Sequence, residues 1–294
     1  MTVGLFVGLA TLDVVQLVDR LPSEDGKTTA RRSWLAAGGP AAVAAITFAA
    51  LGGSARLVTV LGTGPAADVV RADLASAGVE VVDAAPPGFG IAASVALVER
   101  GTGRRAVVSG SGHRPATLSW PAGPVRERVL LLDGHHPELA LPAAEQAARA
   151  GVPVVVDAGS HKPVFDRLWP LATDVICSAD YTHPEGLAPA ALLANGPGLV
   201  AVSDGAGPVR WWAEGSAGEL PVPAVEVRDT LGAGDVLHGS YAFALARGVD
   251  RVAALRFAVA AASRRVTTPG PFAWRDDLAV VPTPRPGSAA DPPD

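Results

Sequence analysis

Short runs of consecutive apolar residues recur along the chain, separated by longer segments rich in alanine and leucine. Val3–Gly8 is the first run, and a run over 55–61 follows a small-residue segment, Pro40–Leu51, that reads as a helix. Helical spacing over 69–77 is followed by a strand-like run at 79–82. Runs at 129–132, 154–156, 175–177 and 199–202 then surround a helical pattern over 141–150. Strands that do not alternate in polarity are buried on both faces, and intervening helices make such a sheet parallel. The pattern predicts an α/β fold.

Two segments break this rhythm. Residues 26–35 and 91–109 alternate polar with apolar positions, and the second turns as a hairpin at Gly101-Thr102-Gly103. They predict a small antiparallel β lid, drawn from about 14–36 and 88–112, over one edge of the main sheet. One domain is expected over 1–281. The proline-rich end, 282–294, is expected to lack structure.

Composition narrows the function. Charged residues make up 18% and apolar ones 49%, which excludes a largely disordered chain. A net charge of −5 without a basic cluster argues against a nucleic-acid partner. The single cysteine, Cys177, lies inside a predicted strand; it excludes a disulfide framework and fits an inert buried thiol in a reducing cytoplasm. The uncharged stretch 35–55 is long enough to span a bilayer, but Gly38, Gly39, Pro40, Gly52 and Gly53 interrupt it. A buried helix is expected there, with no membrane partner. No basic stretch precedes an apolar one at the N-terminus, so no secretory signal is expected.

In an open parallel sheet, ligands sit beyond the carboxyl ends of the strands. Polar residues follow almost every predicted strand: Asp13, Asp133-Gly134-His135-His136, Asp157, Ser178 and Ser203-Asp204-Gly205. They are expected to converge on one cleft. The strongest signal is Asp229-Thr230-Leu231-Gly232-Ala233-Gly234-Asp235, directly before a helical pattern over 236–246. Glycines at 232 and 234 let successive amides point into one concavity, and a helix starting near Asp235 adds its positive dipole end. That is an anion hole with a carboxylate at its rim. Repulsion keeps the carboxylate from binding a phosphate, so its fitting role is to take a proton from a hydroxyl attacking one.

Other patterns fail on inspection. Gly26-Lys27-Thr28 imitates the end of a P-loop, but Leu21 stands where its first glycine is required. His135-His136 lacks a third ligand for zinc, and residues 8–13 hold one of the three glycines of a dinucleotide fingerprint. His113, His161, His183 and His238 read as structural.

The string Asp229–Asp235 resembles the signature of the ribokinase (PfkB) family of carbohydrate kinases. Gly8–Asp13, Gly38-Gly39 before an alanine-rich helix, the two lid segments and Val200–Gly205 extend the resemblance over nearly the whole chain. Glu24-Asp25-Gly26-Lys27, Gly38–Ala42 and Asp235–Gly239 are most similar to the bacterial sulfofructose kinases within it. The resemblance implies a doubly wound, mostly parallel sheet with a β lid, ATP and Mg²⁺, and a homodimer formed through the lid. It makes Asp235 the catalytic base and the amides of Gly232, Ala233 and Gly234 the anion hole. It assigns Asp13, Lys27, Gly38, Gly39, Ser109 and His135 to the substrate, and Ser203, Gly205 and Thr230 to the nucleotide. Around Asp229 and Thr230 it implies a site for a monovalent cation such as K⁺.

The departures are specific. Val43 stands where ribokinases carry asparagine, and Ser178-Ala179-Asp180-Tyr181 replaces the Asn-x-x-Glu that organises magnesium, leaving Asp180 or Asp157 as substitutes. Ser109 and His135 replace the asparagine and arginine expected for a sulfonate, which turns the reading away from a sulfonated sugar. Pro269-Gly270-Pro271-Phe272 replaces the closing Pro-Gly-Gly. The sequence is read as an ATP-dependent kinase of a small sugar. A nucleoside kinase of the same fold and a catalytically idle sugar-binding protein are the alternatives.

Overall fold

Apolar runs flanked by glycine and proline turns become strands because a pleated segment buried on both faces has no polar side to display. The computed structural model describes residues 2–121 and 123–285. Its elements are β1 (Val3–Val7), β2 (Thr11–Val18), β3 (Ala30–Gly38), α1 (Pro40–Ala50), β4 (Ser54–Thr59), α2 (Pro65–Ser76) and β5 (Val79–Asp83). Then come β6 (Ala93–Glu99), β7 (Arg105–Val108), β8 (Val129–Leu132), α3 (Pro137–Ala150), β9 (Val154–Ala158), α4 (Phe165–Leu168) and β10 (Asp174–Ser178). The chain ends through β11 (Leu199–Asp204), β12 (Gly207–Ala213), β13 (Ser216–Leu220), α5 (Ala233–Ala246), α6 (Arg251–Arg265) and α7 (Arg275–Leu278). Residues 282–285 carry no regular element, and the rest of the expected unstructured end lies outside the described residues.

Nine strands form one sheet in the order β13-β12-β11-β10-β9-β8-β1-β4-β5. Pairing is parallel from β11 to β5, and only β12, at that edge, runs antiparallel to its neighbours β11 and β13. Successive side chains of one strand feed two separate cores. Phe6, Leu57, Leu131, Val155 and Ile176 pack toward α1, α2, α5 and α6, whereas Leu5, Val7, Val58, Leu130 and Val156 pack toward α3 and α4. From β1 the chain builds outward on one side through β4 and β5, then returns to the other side at β8. That switch between β1 and β8 opens the crevice where this class of sheet binds ligands.

The lid is a four-stranded sheet, β3-β2-β6-β7. It is not wholly antiparallel as expected, because β2 and β6 pair in parallel. The lid is expected to begin at about residue 14, but with no strand before residue 26; Thr11–Val18 forms β2, which departs the main sheet and roots the lid. The β12–β13 hairpin and α6 were also missed. For α6 a signal existed, since Asp250 is an N-cap whose carboxylate accepts from Val252 N and Ala253 N at 2.9 and 3.3 Å. α3 starts at Pro137 rather than Leu141, with its proline at the first position, where no amide is needed.

Candidate active site

The lid root and the main sheet meet at Gly38-Gly39. Gly39 joins β3 to α1 with φ +93°, and a Cβ there would lie 2.5 Å from Leu9 O, so only glycine fits. A Cβ on Gly38 would collide with the Asp13 carboxyl. Asp13 projects from β2 and accepts a 2.6 Å hydrogen bond from Thr11 Oγ1. Burial pushes its pKa up to about 6, and the Thr11 hydroxyl opposes only part of that rise.

Asp133, at the end of β8, holds the frame beneath. Its Oδ2 accepts from Leu9 N at 2.7 Å and from Ala41 N at 3.2 Å, and its Oδ1 accepts from His135 N at 2.9 Å. One carboxylate thus ties the β1 turn, the α1 N-terminus and the β8 end together. Burial works against its charge, but His135 beside it, through its ring and its amide, and the Lys162 charge hold the carboxyl far below the usual range. Asp133 is therefore a framework residue, not a polar wall of the cleft as its place after a strand suggested. The turn between them demands Gly8, where a Cβ would run into the same carboxyl.

The Asp229–Asp235 turn approaches from the other side. Gly232 adopts φ +76° and is the N-cap of α5, so the helix starts at Ala233 rather than Asp235. The Ala233 amide turns back to Thr230 O at 3.3 Å, which leaves the amides of Gly232, Gly234 and Asp235 as the helix's unspent donors. The Asp235 side chain makes no cap hydrogen bond; its Oδ2 lies 3.6 Å from where a Gly232 Cβ would stand. Burial, with the Asp157 and Asp13 carboxylates nearby, pushes its pKa up to about 7, while His238 and Arg105 pull the other way. Asp157, nine-tenths buried at the end of β9, lies 3.5 Å from His238 Nδ1, which is itself 2.7 Å from Gly234 O.

Asp13, Val15, Ala37, Gly39, Val43, Leu231, Gly232, Asp235, Arg265, Pro271 and Trp274 line one cleft between lid and sheet. Of the residues expected there, Asp13, Gly39, Gly232 and Asp235 meet in it. Lys27 lies exposed on the connection between β2 and β3 and is not among the lining residues. Ser109, past the end of β7, is also exposed and accepts from Ser111 N at 3.2 Å. His135 sits one layer back, its Nδ1 3.2 Å from Asp133 Oδ1. Ser203 donates to Cys177 O at 3.4 Å, and Gly205 takes φ +53° in the β11–β12 turn, both away from the cleft lining. Thr230 points to the lid: its hydroxyl donates to Gly103 O at 2.8 Å, and Arg105 Nη1 donates to Thr230 O at 2.9 Å.

Arg265 and Trp274 were not foreseen. They come from α6 and the segment after it, and neither carries a local motif. Asp180 is exposed, and among the described residues no three His, Cys, Asp or Glu side chains gather to hold a metal. The Cys177 thiol is buried in β10, which pushes its pKa up to about 12 and keeps it inert.

A parallel sheet of this order, with a strand-built lid rooted beside its switch point, belongs to the ribokinase-like class of α/β folds. The chain belongs to the pfkB family of carbohydrate kinases, whose family model matches residues 2–274. It is 26% identical over 283 residues to ketohexokinase of Mus musculus, covering 89% of this chain and 95% of that one. To ribokinase of Arabidopsis thaliana it is 27% identical over 305 residues, covering 90% and 76%. The structure of Arabidopsis thaliana ribokinase complexed with ribose and ATP superposes with a TM-score of 0.74 at 23% identity, over 94% of this chain and 97% of that one. No helix among the described residues is long and apolar enough to cross a membrane.

At Asp229 and Thr230, where the family resemblance implies a monovalent cation, the side-chain oxygens and the Thr230 carbonyl already accept hydrogen bonds from the chain itself. Asp229 Oδ2 accepts from Gly270 N at 2.9 Å and from Arg265 Nη2 at 3.2 Å, and Thr230 O and Oγ1 both accept from Arg105 Nη1. The residues present do not fit that ion.

Proposed function

We propose that this carbohydrate kinase moves the γ-phosphate of ATP to a hydroxyl of a small sugar held by Asp13, with Asp235 as general base. The observation that carries the reading is the meeting of Asp13 and Asp235 in one cleft, at the N-terminus of a glycine-capped helix. Asp13 accepts hydrogen bonds from sugar hydroxyls, and Gly38-Gly39 lets the ring approach the backbone. As the sugar oxygen bonds to phosphorus and the bond to the ADP oxygen breaks, Asp235 takes the hydroxyl proton. A pKa near 7 suits that transfer at neutral pH. The amides of Gly232, Gly234 and Asp235, with the positive end of α5, face charge developing on the transferred group. Ser203, Gly205 and Thr230 lie on the nucleotide's side in this reading, with Lys27 and Ser109 reaching the sugar only if the lid moves further; His135, behind β8 and tied to Asp133, acts on it only through that carboxylate.

Magnesium suits the donor set without a protein cage: this ion keeps most of its waters and takes one or two carboxylates plus phosphates. Asp157, whose charge acts on Asp235 more strongly than that of Asp13, would hold the ion through water; when bound, it neutralises phosphate charge.

The lid also carries a partner surface. Leu35, Val14, Val95 and Val108 stand opposite one another in register across β3, β2, β6 and β7. Leu35 is 58% exposed, Val95 41% and Val108 75%. An apolar row across an open sheet face suits a second copy of the lid, hence a homodimer. A reducing cytoplasm suits the unreactive Cys177.

The test is ADP release with Mg-ATP over ketohexoses, aldoses, sugar acids, sulfosugars and nucleosides, with Asp235→Asn as blank. Sugar-dependent release absent from the blank supports the reading. Release with nucleosides alone would favour a nucleoside kinase, for which the apolar Val43 in the cleft speaks. Sugar binding without any ADP release would make it an idle binder.

A further inference from the structure

The Asp229–Asp235 turn is held by a cation that the chain itself supplies. Asp229 and Arg265 are each 1% exposed and form an ion pair with 3.2 Å between Oδ2 and Nη2. Arg265 Nη1 also donates to Thr268 O at 2.8 Å and to Asp229 O at 3.4 Å. One guanidinium therefore gathers a carboxylate and two main-chain carbonyls from the two segments that flank the cleft. Those are oxygens of the kind a bound potassium or sodium ion would draw into its shell. The oxygens on Thr230 are taken from above by Arg105. Arg265 also lines the cleft, with its guanidinium carbon 5.7 Å from the centre of the Trp274 ring.

We propose that Arg265 is a built-in counter-ion that positions the Asp229–Asp235 turn, so that this kinase works without a monovalent cation. The inference rests on the kinase reading for its effect on rate, but not for its effect on ion binding. A guanidinium is always charged and presents its donors in a fixed fork, so it can bridge a carboxylate and carbonyls permanently. An exchangeable ion bridges them only at sufficient concentration. Removing the side chain leaves Asp229 buried without its charge partner. The space and the oxygens would then suit a small cation.

Two measurements test this. The first compares turnover and melting temperature in potassium, sodium and tetramethylammonium chloride at equal ionic strength. The wild type should change by less than about twofold in rate, and its melting temperature should be the same in all three salts. Potassium activation of about tenfold, or a potassium-specific rise in melting temperature, would overturn the proposal. The second uses Arg265→Ala. Its kcat should fall more than its sugar KM rises, and potassium, but not tetramethylammonium, should restore rate and raise its melting temperature. A folded Arg265→Ala with wild-type kcat in every salt would also overturn it. If that variant does not fold, Arg265→Lys keeps the charge and should stay indifferent to potassium; stimulation of it would count against the proposal. If no sugar is phosphorylated by the wild type, the kinase reading fails by itself while the melting temperatures still report on Arg265.

Discussion

The Asp13 carboxyl fills the space a side chain on Gly38 would need: a Cβ built there collides with its Cγ and both oxygens. Gly38 and Asp13 face each other because β2 and β3 pair antiparallel at the lid root, where Asp13 is opposite Ala36 and Thr11 opposite Gly38. Gly38→Ala should therefore displace the residue proposed to hold the sugar. The expected outcome is a raised sugar KM with ATP KM unchanged, and a loss of about 1–3 kcal/mol in denaturant unfolding from overpacking. Unchanged sugar KM would separate Asp13 from substrate binding.

Asp235→Asn should lower kcat by about 10²–10⁴ and leave nucleotide binding intact, measured by steady-state kinetics and nucleotide titration. Because the proposed base must be ionised, wild-type kcat should rise with pH and level off above about 7. Stability should run the other way. The folded pKa lies above the unfolded 3.8, so the native state holds the proton longer and loses stability as pH rises from about 4 to 7. The asparagine variant should lack that part of the decline and melt higher than wild type at neutral pH.

Asp133→Asn tests the framework. The carboxylate is ionised in the native state well below the usual range, so it contributes stability at neutral pH that is lost as pH falls below the unfolded value. Replacing it should cost about 3 kcal/mol at pH 7, with the difference from wild type shrinking in acid. Hydrogen exchange should show the Leu9 and Ala41 amides loosened, since both donate to this side chain.

Thr230→Val removes the hydroxyl that donates to Gly103 O and accepts from Arg105, while keeping the side chain's shape. A lid tied less firmly to the turn should admit water. We expect ATP hydrolysis without sugar to rise relative to phosphorylation, at a cost of only about 1 kcal/mol in stability. Phosphorylation and hydrolysis in wild-type proportion would show that the tie does not govern closure.

Val108→Asp places a charge in the apolar row of the lid. Light scattering should find a dimer for the wild type and a monomer for this variant, with the melting temperature little changed because Val108 packs on nothing within its own chain's core. A wild-type monomer would remove the homodimer from the account.

The sequence by itself determined the alternation of buried strands and helices, the lid segments and the glycine-rich turn before a helix at Asp229–Asp235. Those are local matters: a run of apolar residues, a glycine that permits positive φ and a helix start are written within a few neighbouring positions. It also pointed to Asp13 and Gly39. What it left open depended on groups far apart in the chain. Thr11–Val18 alternates no more clearly than a loop, and becomes a strand only because β3 and β6 flank it. Asp133 looked like a site residue because it follows a strand, and only the approach of Leu9 and Ala41 turns it into a framework. Arg265 carries no signal in its own helix; its meaning comes from Asp229, which the fold brings against it in a buried place where neither charge would be tolerated alone.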